Sequence, residues 1–233
     1  MDTAIIIDNL PRLMEGLLVT VEITGISVVL GFLLAIPLAI FRVSKNPFIR
    51  WPVYGFNFYF RGTPLLIQIF LIYYGSGQFQ EILSDWGLWQ FFRDAWFCPI
   101  LALTLNTAAY SAEIFRGGIE GVPFGQIEAA RACGMSGVLV YRRVIIPAAL
   151  RIAWPAYTNE VVFLLQATSL VSVITLMDIT GVARVIAARS FAFYELFIAA
   201  AVIYLILVYG VLFIFKRVEN KLLNHLNSAN ASS

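Results

Sequence analysis

Residues 17–41, LLVTVEITGISVVLGFLLAIPLAIF, decide the fold class of this chain. The stretch holds a single charged side chain, Glu22. About 20 apolar residues in a helix cross the hydrocarbon core of a bilayer, and backbone amides in lipid find partners only within a helix or a closed barrel. The stretch is continuously apolar rather than alternating, which argues against a barrel. It therefore predicts a transmembrane helix.

The rest of the chain has the composition of a membrane protein. Of its 233 residues, 60% are hydrophobic and 13% are charged, and the mean hydropathy is +0.82. Soluble domains are about one-quarter charged and disordered chains are poor in apolar residues, so both classes are excluded. Four further apolar segments are long enough to cross a bilayer: about 53–75, 97–115, 153–176 and 193–215. With the first segment, they predict an all-α, polytopic membrane protein that has five transmembrane helices in a single domain, 1–233.

The basic residues predict how the chain is oriented. Eleven of the sixteen lysines and arginines fall in the first loop, the third loop and the C-terminal tail, namely Arg42, Lys45, Arg50, Arg116, Arg131, Arg142, Arg143, Arg151, Lys216, Arg217 and Lys221. Cytoplasmic loops carry such an excess, so we expect the N-terminus outside and the C-terminus in the cytoplasm. The net charge of +2 is too balanced to indicate a nucleic-acid partner.

Several kinds of site find no support in the sequence. Cys98 and Cys133 are far apart and lack a metal-binding spacing, and the single histidine, His225, lies in the polar tail. We therefore expect no metal site and no catalytic triad. None of the three lysines follows a glycine-rich, phosphate-binding loop. If the protein pumps a solute, the energy must enter through a partner.

The third loop, 116–152, is too long to be a simple connection between neighbouring helices. Pro123 can open a short helix, the stretch Gln126–Ala132 is rich in helix formers, and Gly134 can close it. Such a structured element predicts a docking surface. Composition alone equally allows an amphipathic segment that lies on the membrane.

Polar residues at similar depth in helices three and four predict a substrate path. Intramembrane polar groups are costly and usually functional. The candidate substrate-binding residues are Asn106, Glu160, Gln166, Thr168 and Ser169. Thr168 and Ser169 have a structural alternative, because hydroxyl groups in helices often bond back to the preceding turn.

Other polar residues in the apolar segments also have structural alternatives. Glu113 can pair with Arg116, three residues further along the same helix. Arg61 can pair with an acid on helix one or helix four. Gly62 and Pro64 are typical of a kink in helix two.

The third loop contains a motif with fixed spacing. Glu-Ala-Ala at 128–130 is followed by three residues, a glycine, nine residues and then Val-Ile-Ile-Pro at 144–147. This pattern resembles the EAA loop of bacterial ATP-binding-cassette importer permeases and departs from it only in two conservative aliphatic changes. The resemblance implies a short coupling helix that docks on a cytoplasmic ATPase, with the contact residues Glu128, Ala129, Ala130, Gly134 and Pro147.

Further stretches resemble the polar amino-acid branch of that family. They are RGTPL at 61–65, NTAAY at 106–110, AEIFRGGI at 112–119, PAYTNEV at 155–161 and ATSL at 167–170. The stretch PAYTNEV and the basic third loop are most similar to the M subunit of histidine/lysine/arginine/ornithine and opine permeases. The resemblance implies a non-enzymatic subunit of an ATP-driven importer in the bacterial inner membrane.

The same resemblance implies particular partners. They are a second homologous permease subunit, two cytoplasmic ATPase subunits that bind ATP and Mg, and a periplasmic substrate-binding protein. This chain itself is expected to bind no cofactor. Whether the permease pair is a homodimer or a heterodimer is open at this point.

One departure from the family bears on the substrate. Many members place a lysine seven residues after the asparagine that matches Asn159, where this chain has Gln166. A like-charge pair at about 4 Å costs roughly 4 kcal/mol at an effective dielectric near 20, so a lysine there would repel a cationic substrate. Its absence predicts a basic amino acid or an opine derived from one.

Two other classes of function compete with this interpretation. A secondary transporter or channel would work without nucleotide, and it would need inverted repeats or a proton relay. No clear repeat is found, and five helices do not divide into an inverted pair. An intramembrane enzyme would need a catalytic motif, and Glu113 with Glu160 forms none.

Overall fold

The computed structural model describes the backbone of residues 3–174 and 176–230 and the side chains of residues 4–174 and 176–221. Within these ranges every regular element is helical, which confirms the predicted all-α class. The side chain of His225 lies outside the described residues.

Eleven α-helices follow one another along the described chain. They are α1 Thr3–Arg42, α2 Pro47–Gly62, α3 Leu65–Gln78, α4 Gln80–Asp85, α5 Trp89–Phe92, α6 Phe97–Glu120, α7 Phe124–Ala132, α8 Gly137–Val140, α9 Ile146–Ala167, α10 Ile179–Ser190 and α11 Phe193–Asn230. A π-helical turn, Tyr141–Ile145, joins α8 to α9, and a 3₁₀ helix, Thr168–Val173, follows α9.

The helices differ from the predicted apolar segments in several places. Helix α1 begins at Thr3 rather than near residue 17, and α6 and α11 continue beyond the predicted ends, to Glu120 and Asn230. The second segment is divided between α2 and α3 at Thr63 and Pro64. The fourth segment starts earlier, at Ile146, and its α-helix ends at Ala167. Three helices were not predicted: α4 and α5 lie between the second and third segments, and α10 lies between the last two.

Long apolar helices form the frame of the molecule. Ala4–Arg42 and Phe193–Lys221 are each long enough to cross a bilayer, with mean hydropathies of 2.5 and 2.8. Helix α11 leaves Leu205, Ile206 and Phe213 exposed along its outer face. A soluble protein rarely exposes so large an apolar surface, whereas lipid covers it without cost.

Small residues join α1 to α6 at the centre of the bundle. Ala35 and Ala39 of α1 are fully buried against Ala112 and Phe115 of α6. Lipid provides no hydrophobic force between helices, so close packing of small side chains holds transmembrane helices together. The α1–α6 pair is therefore the platform on which the other helices pack.

One end of the bundle, which we call the basic end, holds the end of α1 together with parts of α6, α9 and α11. Arg42 at the end of α1 lies 3.2 Å from Glu113 of α6. Trp154 near the start of α9 donates its indole N–H to the carbonyl oxygen of Phe215 in α11, at 3.2 Å. The 121–145 connection, with α7 and α8, packs at this same end.

The opposite end is closed by α10. Its residues Ile179 and Ala187 are buried between Leu13 of α1 and Leu196 of α11. Asp178 begins α10 by accepting a hydrogen bond from the Gly181 N–H at 2.9 Å, which is the usual role of an aspartate before a helix. Burial raises the pKa of this carboxyl group, and its hydrogen bonds oppose the rise.

The contact between α6 and α9 predicts a strict size limit at Gly118. A Cβ atom there would come within 2.5 Å of the Ala149 carbonyl oxygen, so the two helices would have to separate. We expect Gly118→Ala to lower the free energy of unfolding by about 1–3 kcal/mol, measured as a lower thermal midpoint of the purified protein in detergent. Gly117→Ala is the matched control because its Cβ would meet open space. Equal midpoints for the two variants would contradict this packing.

Candidate functional site

The break between α2 and α3 is the feature around which the site is built. Pro64 has no N–H, so the Phe60 carbonyl loses the donor that a continuous helix would supply. Gln68 compensates: its Nε2 lies 2.8 Å from the Phe60 oxygen and 3.0 Å from the Thr63 oxygen. Asn106 of α6 donates to the same Phe60 oxygen at 3.2 Å. The two amides thus satisfy the backbone of the break.

The two amide side chains also bind each other. Asn106 Nδ2 donates to Gln68 Oε1 at 2.9 Å, and Gln68 is only 1% exposed. Because lipid offers no hydrogen bonds, a buried carbonyl or amide without a partner costs several kcal/mol at this depth. The network therefore fixes the break against α6 and holds Thr63 and Pro64 in one position.

A cavity of about 350 Å³ opens beside this break. Residues from α3, α6, α9 and the break itself line it: Thr63, Pro64, Leu65, Asn106, Tyr110, Glu160, Phe163, Leu164 and Ala167. The hydroxyl, amide and phenol groups lie on the break and on α6. The α9 wall is apolar apart from one carboxyl group.

Glu160 is the one acidic residue among those lining this cavity. It is 9% exposed, and its Oε1 accepts a hydrogen bond from the Thr107 hydroxyl at 3.0 Å. Burying a carboxylate is costly unless a cation or several donors accompany it. Within the described residues no ion pair to Glu160 is present, so the cavity has the electrostatics of a site for a positively charged ligand.

Arg61 stands at the margin of the cavity. The Tyr110 hydroxyl donates to the Arg61 carbonyl oxygen at 3.3 Å, and the Arg61 guanidinium lies 5.3 Å from the centre of the Tyr110 ring. This is the geometry of a cation–π contact. Arg61 is close enough to Glu160 to interact with it electrostatically, without direct contact.

The structure brings together two of the five predicted substrate residues. Asn106 and Glu160 both line the cavity. Thr168 donates to the Leu165 oxygen at 2.7 Å and Ser169 to the Gln166 oxygen at 2.8 Å, so both hydroxyls bond back to the preceding turn. Gln166 is exposed on α9 and is not among the lining residues.

Three residues of the site were not among the predicted ones: Thr63, Gln68 and Tyr110. The sequence pattern gives no direct signal for Gln68. Gln68 lies eight residues after Phe60, so only the break at Pro64 brings its amide to the Phe60 carbonyl. Tyr110 follows Asn106 by four residues and so shares its face of α6.

A network of charges closes the basic end of α6. Glu113 accepts hydrogen bonds from Arg116 Nε at 2.6 Å and from Asn57 Nδ2 at 2.9 Å. Arg116 also donates to Glu120 at 2.6 Å. The hydrogen bond with Glu113 raises the pKa of Arg116, burial opposes the rise, and Glu120 adds to it. The Glu113–Arg116 pair is therefore present as part of a larger network.

The predicted short helix of the third loop is confirmed as α7, with its start after Pro123. Its end has a physical explanation in Gly134, whose φ is +78°. The Gly134 N–H donates to the Arg131 oxygen at 2.9 Å, and the Met135 N–H donates to the Ala130 oxygen at 3.2 Å. These bonds form a Schellman motif, which needs a residue with positive φ after the helix and favours glycine there.

The remaining residues of the spaced motif divide between two roles. Ala130 is buried among Val122, Val140 and Ala149, so it fixes α7 to the ends of α6 and α9. Pro147 lies in the first turn of α9, where its missing N–H is not needed. Glu128 and Ala129 are exposed.

Comparison with known proteins agrees with this architecture. Residues 27–224 match the family described as binding-protein-dependent transport system inner membrane component. The chain belongs to this family. It is 49% identical over 211 residues to the nopaline transport system permease protein NocM of Agrobacterium fabrum (strain C58), a match that covers 91% of this chain and 88% of that protein.

Two further similarities make the assignment more specific. This permease is 44% identical over 211 residues to the histidine/lysine/arginine/ornithine permease protein HisM of Escherichia coli (strain K12), over 91% of this chain and 89% of that protein. A crystal structure of an amino acid ABC transporter with histidines superposes with a TM-score of 0.81 at 32% identity, covering 95% of this chain and 99% of that one. The predicted transport role without enzymatic activity is thus confirmed.

The role of Gln68 in this permease can be tested by removing its hydrogen bonds while keeping its size. Gln68→Leu leaves the Phe60 and Thr63 oxygens and the Asn106 amide under-satisfied, and each such group costs about 1–3 kcal/mol. We expect the thermal midpoint in detergent to fall well below that of wild type. Gln78→Leu, at an exposed position of the same helix, should leave the midpoint unchanged. Equal effects of the two changes would exclude Gln68 as the stabiliser of the break.

Proposed function

We propose that this permease carries basic amino acids, or opines derived from them, through the cavity beside the α2–α3 break. The observation that carries the proposal is Glu160, a buried carboxylate without an ion-pair partner among the described residues, on the wall of that cavity. At about 4 Å and an effective dielectric near 20, an opposite charge gains roughly 4 kcal/mol. The ammonium or guanidinium group of the substrate supplies that charge.

The polar residues around Glu160 suit the rest of such a substrate. Thr63, Asn106 and Tyr110 line the same cavity and offer hydroxyl and amide groups at its other wall. The names of the relatives support the same substrate class, since they include nopaline, octopine and histidine/lysine/arginine/ornithine permeases. The glutamine at 166 is compatible with this class because it adds no positive charge to the transport path.

A second permease chain completes the path. Asn159 and Gln166 are both exposed on α9, two turns apart and therefore on one face of the helix. Polar side chains facing lipid are unfavourable, and in membrane proteins they point into the protein or towards water. We infer that this face of α9 meets the second permease chain and that the substrate moves between the two chains.

The basic end of the bundle faces the cytoplasm and the α10 end faces the periplasm. This orientation follows from the positive charges of the loops and the tail at the basic end, and it places the N-terminus outside. A periplasmic binding protein then delivers substrate at the α10 end. Two ATPase subunits, which hold ATP and Mg, bind at the basic end.

The surface formed by Phe124, Glu128 and Ala129, here called the docking surface, receives the ATPase. All three residues are exposed, and Phe124 is an aromatic side chain with 66% of its surface exposed. Buried aromatic anchors beside a charged rim are common in protein interfaces. An ATPase groove covers such a surface better than lipid headgroups would cover Glu128.

Helix α7 packs against the ends of α6 and α9, so its movement is transmitted to the bundle. Ala130 packs α7 against Val122, at the end of α6, and Ala149, near the start of α9. Movement of α7 with the ATPase therefore moves the two helices that carry Asn106 and Glu160. Closure of the ATPase pair by ATP would then switch the cavity from outward to inward exposure, as a rigid-body change between repeats or bundles.

Removing the charge of Glu160 tests the proposed substrate class. Glu160→Gln keeps the size of the side chain and a hydrogen-bond acceptor for Thr107, so the fold should persist. In proteoliposomes that contain the whole transporter, we expect binding-protein-dependent uptake of arginine to fall at least about tenfold, which corresponds to about 1.4 kcal/mol. The readout is the initial rate of radiolabelled arginine uptake driven by lumenal ATP.

An exposed carboxylate provides the matched control for this change. Glu81→Gln on α4 should transport arginine at the wild-type rate because Glu81 does not line the cavity. Undiminished uptake by Glu160→Gln would contradict the proposed substrate site. Uptake of arginine that persists without ATP would contradict the importer itself.

A charge reversal on the docking surface tests the coupling to the ATPase. Glu128→Arg leaves α7 intact because the side chain is exposed, but we expect the ATPase to dissociate during copurification or to lose substrate-stimulated hydrolysis. Glu219→Arg, which reverses a charge on α11 at the same end, should retain both. Normal assembly and hydrolysis with Glu128→Arg would show that the ATPase binds elsewhere.

A further inference from the structure

A second cavity, of about 300 Å³, lies between α1, α2 and α6 on the basic side of the helix break. Its lining residues are Arg42, Tyr54, Asn57, Phe58, Arg61, Gly62 and Glu113. Gly62 lines this cavity and the adjacent Thr63 lines the first one. The break therefore separates the two cavities, with Arg61 between them.

The negative charge in the second cavity is already balanced. Glu113 lies 2.6 Å from Arg116 Nε and 3.2 Å from Arg42 Nε, and it accepts a hydrogen bond from Asn57. Arg42 is further held by Tyr54, with its guanidinium 4.8 Å from the ring centre. The acid and its two cations thus form a set that does not include Arg61.

Two groups in the second cavity remain available for a ligand. Arg61 forms no ion pair within the described part of the chain. Its guanidinium faces the Tyr110 ring, and Glu160 interacts with it electrostatically without direct contact. Asn57 is 2% exposed, and its Oδ1 has no hydrogen-bond partner. Its orientation is determined by Glu113, because a carboxylate only accepts hydrogen bonds and so the amide must turn its nitrogen towards it.

An unpaired guanidinium and an unpaired amide oxygen on residues that line the same cavity are complementary to an α-amino acid head. A guanidinium binds a carboxylate with paired hydrogen bonds, and an amide oxygen accepts from an ammonium group. The volume corresponds to roughly ten water molecules at about 30 Å³ each, enough for a head group with part of its side chain. A phosphate ion would satisfy Arg61 but would leave the Asn57 oxygen without a donor.

We propose that Arg61 and Asn57 form an exit subsite that holds the head group of the substrate after it leaves Glu160. Arg61 binds the α-carboxylate, and Asn57 Oδ1 accepts from the α-amino group. The subsite rests on the proposed function, because the substrate reaches it from the first cavity. It lies on the basic, cytoplasmic side, so substrate that has accumulated in the cytoplasm occupies it and inhibits further transport.

The test measures inhibition from the lumen of proteoliposomes that contain the whole transporter. Lumenal ATP energises only the molecules whose basic end faces the lumen, and labelled arginine is supplied outside with the binding protein. We expect unlabelled lumenal arginine to inhibit uptake. Lumenal agmatine, which has the guanidinium but no carboxylate, should need at least about a tenfold higher concentration for half-inhibition.

Variants identify the residues that bind the amino-acid head group of arginine. Arg61→Gln should raise the half-inhibitory concentration of lumenal arginine at least about tenfold and should leave that of agmatine unchanged. Arg50→Gln, an exposed arginine on the same helix, is the matched control and should behave as wild type. The comparison of arginine with agmatine uses wild-type protein, so it tests the subsite even if Arg61→Gln does not assemble.

Three results would overturn the exit subsite while the proposed function stands. They are uptake without inhibition by lumenal arginine, equal inhibition by arginine and agmatine, and unchanged inhibition in Arg61→Gln. A wild-type transporter that takes up no basic amino acid or opine from outside would overturn the proposed function and the subsite together.

Discussion

The site of this permease depends on the need to satisfy a few backbone carbonyls in an environment without water. A proline within an apolar segment interrupts the helix, and lipid cannot replace the missing hydrogen bonds. Gln68 and Asn106 replace them from inside the bundle. Because the two amides are also bonded to each other, the structural solution on α2–α3 is tied to α6, and a polar cavity forms where a continuous helix would have packed closely.

The charged groups near the helix break follow one another along the axis of the bundle. A buried carboxylate, Glu160, lies on one side of the break, and a balanced cluster around Glu113 lies on the other, with Arg61 between them. On the proposed path, a cationic solute moves from an acid that attracts it towards a region where its own charge is no longer needed for binding. Helix α6 carries Asn106 and helix α9 carries Glu160. Helix α7 packs against the ends of both. In the proposed mechanism, substrate binding and coupling to the ATPase therefore involve the same two helices.

Much of this could be predicted from particular residues. The spacing from Pro123 to Gly134 predicted α7, because each residue has a definite backbone role at a helix end. Hydropathy averaged along the segment could not distinguish one helix from two at Thr63, since an average does not record where a helix is interrupted. Depth in the membrane grouped Asn106 with Thr168, but only packing shows which way a side chain faces around its helix. Gln68 was missed because a single glutamine in an apolar run has no periodic signal.

The position of the bound substrate tests the central claim most directly. A cryo-electron microscopy structure of the whole transporter, without nucleotide and with arginine, would show where the guanidinium lies. Our account predicts density for it within about 4 Å of the Glu160 carboxylate, the distance of an ion pair, with the remainder of the molecule beside Asn106 and the break. Density confined to the exposed face of α9 at Gln166, with the Glu160 cavity empty, would contradict it.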